Sequence, residues 1–305
     1  MQCDACRREA VVFQPYSGKH LCPAHFTRDF EAKAKRTIRA HGWLRPGDHI
    51  AVALPGDAAG AALLSFLFGL TADRRDIRLS AITIDPGIAG FPVAERARAI
   101  AGACNVTWFA GSLADRYGIT VDELVQKESR EIACRSCRVL ASDLIGEIAE
   151  AHGVTRCAFA TTVDETAGAF FTDLLAGTVG CTLFSREVVG QSGIPAIRPF
   201  MDIPAPEVAR YAELHGPAPG PCGFLPPCPC AGGSALAADA REALDTYNHR
   251  HPATKFALAN LAGTLAGVAV GYEPAPVCPV CGEPLADEEC EACSIRRNTG
   301  RGTLA

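Results

Sequence analysis

Fifteen cysteines stand in this chain of 305 residues, and many fall in pairs two residues apart, the spacing of metal ligands rather than of disulfides. Cys3-x-x-Cys6 and Cys22-x-x-His25, fifteen residues apart, offer three thiolates and an imidazole, the set that tetrahedral zinc requires. Cys278-x-x-Cys281 and Cys290-x-x-Cys293 offer four thiolates, and Gly282 gives the turn its glycine after the second ligand. Each set is complete and leaves no open position, so two structural Zn2+ ions are expected, one at each end of the chain.

A third group is different. Cys134-x-x-Cys137 lacks two partners, and the periodicity predicts that it stands just before a helix starting near Val139. Cys222, Cys228 and Cys230, in a Gly/Pro-rich loop, are the candidates to complete it. Three thiolates on one metal group leave a position open, as a catalytic zinc or a cluster with one labile iron does. A redox pair or a third structural zinc is the plainer alternative. Thiols at a helix N-terminus are acidified, which favours thiolate chemistry. Cys104, Cys157 and Cys181 lie in apolar context and read as core residues.

The elements that must position these groups are legible in outline. After the first module, Phe26, Phe30, Ala34 and Ile38 recur at helical spacing, with Gly42 as a stop. Apolar runs at 50–54, 79–84, 106–109 and 157–160 then alternate with helical stretches that end near 70, 103, 131 and 152. Such alternation predicts a parallel sheet covered on both faces, with ligands at the carboxyl ends of its strands. A helix follows Pro204 to His215, residues 216–233 read as a loop, and helical periodicity resumes from Ala235 to Leu265. The predicted units are a zinc knuckle at 1–25, an α/β core at 26–270, and a zinc module with its tail at 271–305.

Net charge is −5, so any polyanion contact must come from a local patch. Arg28, Lys33, Lys35, Arg36, Arg39 and Arg45 form the clearest one, with a smaller group at Arg296, Arg297 and Arg301. A solvated helix face is the commoner meaning of such a run. The first residues carry neither a basic n-region nor an apolar h-region, and the longest apolar stretch, Ala58 to Leu70, falls short of the about 20 residues that cross a bilayer. A cytoplasmic protein without a membrane span is expected.

Taken jointly, these motifs resemble the tRNA 2-thiolation enzymes, the 2-thiouridine synthetases of the PP-loop ATP pyrophosphatase superfamily. The likeness rests on both terminal zinc modules, Ile84-Asp85-Pro86-Gly87-Ile88, Cys134-x-x-Cys137, and Val163-Asp164-Glu165 after a strand. It continues through Ile197-Arg198-Pro199-Phe200, Pro204-x-x-Glu207-Val208-x-x-Tyr211, Cys228-Pro229 and His251-Pro252-x-Thr254-Lys255-Phe256. The resemblance implies an α/β fold with a Rossmann-like, HUP/PP-loop-type core. It implies a [4Fe–4S] cluster on Cys134, Cys137 and Cys228, with Cys222 or Cys230 as substitutes for the third ligand. It implies Asp164 as the catalytic acidic residue and a nucleotide edge at Gly56, Gly60, Asp85 and Gly87, taking ATP with Mg2+. As partners it implies tRNA, a sulfur donor such as a ubiquitin-like sulfur carrier protein, and a second copy of the chain in a homodimer. ATP would adenylate a uridine carbonyl oxygen, which sulfur then displaces.

One segment departs from that pattern. Where the family has Ser-Gly-Gly-x-Asp-Ser to cradle pyrophosphate, the chain reads Pro55-Gly56-Asp57-Ala58-Ala59-Gly60. Pro55 has no N–H to donate, Asp57 adds negative charge, and both hydroxyls are gone, so weakened phosphate binding is expected. The family's Gly-His-Asn before the acidic residue is replaced by Ala160-Thr161-Thr162, and its lysine after the cysteine pair by Ala141. The alternative function is a catalytically impaired paralogue, a metal-binding scaffold that handles tRNA or sulfur.

Overall fold

The first cysteines open onto a short antiparallel hairpin, β1 (Val12–Gln14) paired with β2 (Lys19–Leu21). Helix α1 (Pro23–His41) follows, with a proline in its first turn, where the missing N–H costs nothing. It buries Phe26, Phe30, Ala34 and Ile38, the predicted stripe. Gly42 ends it in the left-handed conformation, φ 61°, and its N–H returns to the carbonyls of Ile38 and Arg39. This computed structural model describes residues 1–177, 188–189, 192–216, 228, 234–268, 278, 293–294 and 297.

The α/β core begins at β3 (His49–Ala53) and α2 (Ala58–Thr71), then β4 (Arg78–Asp85), α3 (Val93–Ala103) and β5 (Thr107–Ser112). Three helices come next, α4 (Leu113–Tyr117), α5 (Val121–Lys127) and α6 (Arg130–Ala151), before β6 (Arg156–Ala158) and α7 (Val163–Ala176). The strands β7 (Val188–Val189) and β8 (Ile194–Ile197) and the helices α8 (Ala205–His215), α9 (Ala235–Arg250) and α10 (Thr254–Val268) complete the described elements. The sheet runs β5-β4-β3-β6-β8-β7. Its first five strands are parallel, as predicted, and β7 pairs antiparallel to β8 at the edge.

The order reverses between β3 and β6, so the crevice outside the carboxyl ends of these two strands is the topological switch point where such sheets bind ligands. Crossover helices run back against their strands, so the N-termini of α2, α6 and α7 all lie at that edge. Helix α2 is apolar nearly all round because it is covered nearly all round: Ala61, Ala62, Leu63, Leu64, Phe66 and Leu67 are buried. Phe200 ties the layers together, meeting Phe30 at 5.0 Å edge to face and Phe66 at 5.7 Å. Phe30 in turn stacks on Tyr211 at 4.2 Å, each ring pair adding about 1 kcal/mol beyond area burial.

One expectation needs correction. Helix α6 starts at Arg130, not near Val139, because Ser129 caps it by accepting the Ile132 N–H, so Cys134 and Cys137 lie inside its first two turns. The helical periodicity expected from Ala235 to Leu265 is carried by two helices, since Pro252 removes a donor and α9 ends at Arg250. No described helix is long and apolar enough to cross a membrane. The 271–276 segment and Cys181 lie outside the described residues.

Candidate metal centres and switch-point site

Cys3, Cys6, Cys22 and His25 converge, their four ligand atoms all within 4.8 Å of one another. His25 Nδ1 stands 3.5 Å from Cys3 Sγ and 3.3 Å from Cys22 Sγ, and Cys6 Sγ is 3.6 Å from Cys22 Sγ, the edges of a tetrahedron around one ion. The turn is local. Arg7 N–H and Cys6 N–H both return to the Cys3 carbonyl, and Arg7 takes the left-handed conformation that lets the chain wrap its second ligand. Burial works to raise the Cys3 thiol, but hydrogen bonds from backbone groups at Cys22, Ala5 and Cys6 outweigh it and bring the thiol down to about 6. The donor set therefore fits Zn2+, a thiolate-seeking tetrahedral ion.

This module is bolted to the core by a buried polar network. Glu207 of α8 is buried and accepts from Tyr16 Oη at 2.5 Å, Lys33 Nζ at 3.1 Å and Gln14 Nε2 at 3.3 Å. Lys33 also pairs with Asp29 at 2.6 Å. Lys33 thus belongs to the interior, and the basic face of α1 is carried by the exposed Arg28, Arg36 and Arg39, with Lys35 half-buried against Glu31 at 2.7 Å.

At the far end of the chain, Cys278 and Cys293 are buried with their sulfurs 3.6 Å apart. Their expected co-ligands Cys281 and Cys290 lie outside the described residues.

Cys134 and Cys137 stand one turn apart and so share a face of α6 at the ligand edge of the sheet, both half-buried. Cys228 is exposed, and Cys222 and Cys230 lie outside the described residues. Among the described residues only the first group reaches the spacing of ligands around a single ion. Thiolates on separate corners of a cubane cluster lie further apart than that, so Cys134, Cys137 and Cys228 are not required to meet it. Two half-buried cysteines on one helix face and a third, exposed one fit cluster ligation as a donor set. Cys104 and Cys157 are buried, and burial pushes both thiols up, Cys157 to about 12, as core residues require.

The predicted nucleotide positions line the carboxyl ends of the strands. Gly87, φ 70°, donates to Asp85 Oδ1 at 2.9 Å, and a Cβ there would stand 2.6 Å from Thr120 Cγ2, so only glycine closes this loop on the start of α5. Gly56, φ 87°, turns the chain out of β3, and Asp57 caps α2 by accepting the Gly60 N–H at 2.7 Å. A Cβ on Gly60 would meet Asp57, Leu54 and Pro55 at 3.1 Å, so this loop is drawn tight onto the helix. Across the crevice Thr162 and Glu165 form a capping box on α7, with Glu165 Oε2 2.8 Å from the Thr162 N–H. Burial, with the charges of Asp57 and Asp164, pushes the Glu165 carboxyl up, and burial does the same to Asp57.

Asp164 is engaged on both oxygens. Oδ2 accepts the Ala205 N–H at 2.6 Å, and Oδ1 meets Lys255 Nζ at 2.5 Å. Lys255 also reaches Asp245 at 2.5 Å. Its place in this network carries no local sequence signal, since the partners are 91 residues apart.

The family model for the 2-thiouridine synthetase TtuA N-terminal LIM domain matches residues 2–27. Over nearly its whole length the chain is similar to the tRNA 2-thiolation protein NcsA of Haloferax volcanii, 25% identical, covering 97% of this chain and 98% of that protein. It is 28% identical to the tRNA-5-methyluridine(54) 2-sulfurtransferase of Thermus thermophilus, covering 97% and 91% of the two chains. The structure of the U34-tRNA thiolase NcsA from Methanococcus maripaludis, solved with its [4Fe-4S] cluster, covers all of this chain and 98% of its own, with TM-score 0.81 at 20% identity. The chain is thus similar to TtuA- and NcsA-type tRNA 2-thiolation proteins in its N-terminal module and in sequence along nearly its full length, and it shares the fold of NcsA.

Proposed function

We propose that this protein acts in the cytoplasm in the 2-thiolation of a tRNA uridine, with Cys134, Cys137 and Cys228 as ligands of a [4Fe–4S] cluster. The observation that supports it most is the pair of cysteines on one face of α6 at the ligand edge, in a chain similar to thiolation proteins over nearly its whole length. Three thiolates on a four-iron cluster leave one iron able to accept exogenous sulfur. Cys134 and Cys137 hold two corners from a rigid helix, and Cys228 closes the third from the loop side. The zinc module and the exposed arginines of α1 form the tRNA-facing side, fixed to the core through Glu207. The second zinc, on Cys278, Cys281, Cys290 and Cys293, secures the C-terminal module. A ubiquitin-like carrier as sulfur donor, a homodimer, and ATP with Mg2+ as the activator of the carbonyl oxygen complete the reading.

A second reading is favoured by one observation, the capping of α2 by Asp57 where the phosphates would sit. In it the chain holds cluster and tRNA and leaves activation of the uridine to another protein. The test is a thiolation assay with anaerobically prepared protein, tRNA, sulfide, ATP and Mg2+, read by mass spectrometry of the digested tRNA. Thiouridine that disappears with Cys134→Ser supports the first reading. No thiouridine, with tRNA binding intact, supports the second.

A further inference from the structure

Two helix N-termini, those of α2 and α7, point into the switch-point crevice, and backbone N–H groups there are what a phosphate would bind. Each already has a first-turn N–H taken by a side chain of its own cap. At α2, the Asp57 carboxylate takes the Gly60 N–H at 2.7 Å, and Pro55 has no N–H to contribute. At α7, Thr162 takes the Glu165 N–H and Glu165 returns to Thr162 at 2.8 Å. Among the described residues, Lys255 pairs with Asp164 and is spent on it and on Asp245. The crevice thus offers carboxyl groups where a polyphosphate would need donors and positive charge.

We propose that Asp57 is the internal occupant of the anion seat at the α2 N-terminus and makes the switch point refuse polyphosphate ligands, nucleoside triphosphates included. Gly60 supports this role, because its N–H holds the Asp57 carboxylate at 2.7 Å, and a Cβ there would crowd Asp57, Leu54 and Pro55 at 3.1 Å. Glu165, whose carboxyl takes the Thr162 N–H at 2.8 Å across the crevice, is the second barrier. The seat is closed by charge and by occupancy, not by loss of the fold. The inference concerns binding by the chain alone and rests with the second reading, in which another protein activates the uridine, because the first reading requires this seat to take ATP.

Calorimetric titration of the full chain with inorganic pyrophosphate and with ATP and Mg2+ tests it. The wild-type chain is expected to bind neither at millimolar concentration. Asp57→Asn keeps the cap and the size while removing the charge, and Asp57→Ser keeps the cap and empties the seat. Each is expected to gain pyrophosphate affinity on the order of tenfold or more, increased again by Glu165→Gln. Circular dichroism confirms that each variant is folded, and the near-isosteric Asn variant serves if the Ser variant is not. Wild-type binding of either ligand would overturn the proposal, and so would folded variants that gain nothing.

Discussion

Lys255 Nζ lies 2.5 Å from Asp164 Oδ1, joining the first turn of α10 to the first turn of α7. Asp164 also holds the Ala205 N–H at 2.6 Å, so one carboxylate anchors three helices. Burial works to lower the Lys255 ammonium, but Asp164 and Asp245 outweigh it and raise it. Lys255→Met is expected to cost about 1–3 kcal/mol in urea unfolding, since it strands a half-buried carboxylate. Asp164→Ala, which takes the acceptor from the Ala205 N–H and leaves Lys255 with Asp245 alone, is expected to cost more. Equal, small effects would mean that α10 is held by apolar packing alone.

Glu207 makes the metal module and the core one unit. Glu207→Ala leaves Lys33, Tyr16 and Gln14 without their shared acceptor, an expected loss of about 3 kcal/mol. Cys22→Ser is expected to remove one zinc per chain and lower the melting temperature of the whole protein, because the module's hairpin carries Gln14. Metal analysis beside calorimetry checks this. Loss of zinc with no shift in the main transition would mean that the module melts independently.

Two carboxyl groups at opposite ends of the sheet are expected to respond to pH with opposite sign. Burial works to raise Asp48, but the Arg45 N–H, Arg156 at 2.9 Å and Thr155 outweigh it and lower it. Its contribution is therefore full above the unfolded carboxylate range and lost as pH falls through the depressed value. Glu165 is raised, chiefly by burial, so stability is full below the unfolded value and falls as pH rises through the raised one. Glu165→Gln keeps the capping box and is expected to raise the neutral-pH melting temperature, with the gain vanishing in acid. Asp48→Asn is expected to destabilise at neutral pH and to match wild type in acid. Melting curves across pH would contradict this if either difference were constant.

The exposed arginines of α1 give a further expectation. Arg36→Ala with Arg39→Ala should weaken tRNA binding uniformly across sequences and flatten its log–log salt slope by about 2. An unchanged slope would make the helix face merely solvated. Lys33→Ala is expected to act through stability instead, since its ammonium is bound to Glu207 and Asp29.

The zinc ligands could be read from sequence because their spacing is local: each pair is one turn, and Cys3, Cys6, Cys22 and His25 meet as expected. The parallel strands were legible because buried strands are short apolar runs between helical stretches. The start of α6 was hidden by Ser136, a polar residue that sits buried in the helix stripe with Ala133 and Leu140 and so interrupts the apolar period. The antiparallel edge β7–β8 is two to four residues long and includes Pro195, too little pattern to announce itself. Pairing of Asp164 with Lys255 and Ala205, and of Glu207 with the hairpin, depends on the tertiary fold and leaves no local trace.

Iron and acid-labile sulfide, quantified in anaerobically purified and reconstituted protein, test the central claim most directly. The account predicts iron and sulfide in equal amounts beside zinc, with both lost in Cys134→Ser and Cys137→Ser and depleted in Cys228→Ser, while zinc at the N-terminal module is retained. Zinc alone, with no iron in the wild-type chain, would contradict it.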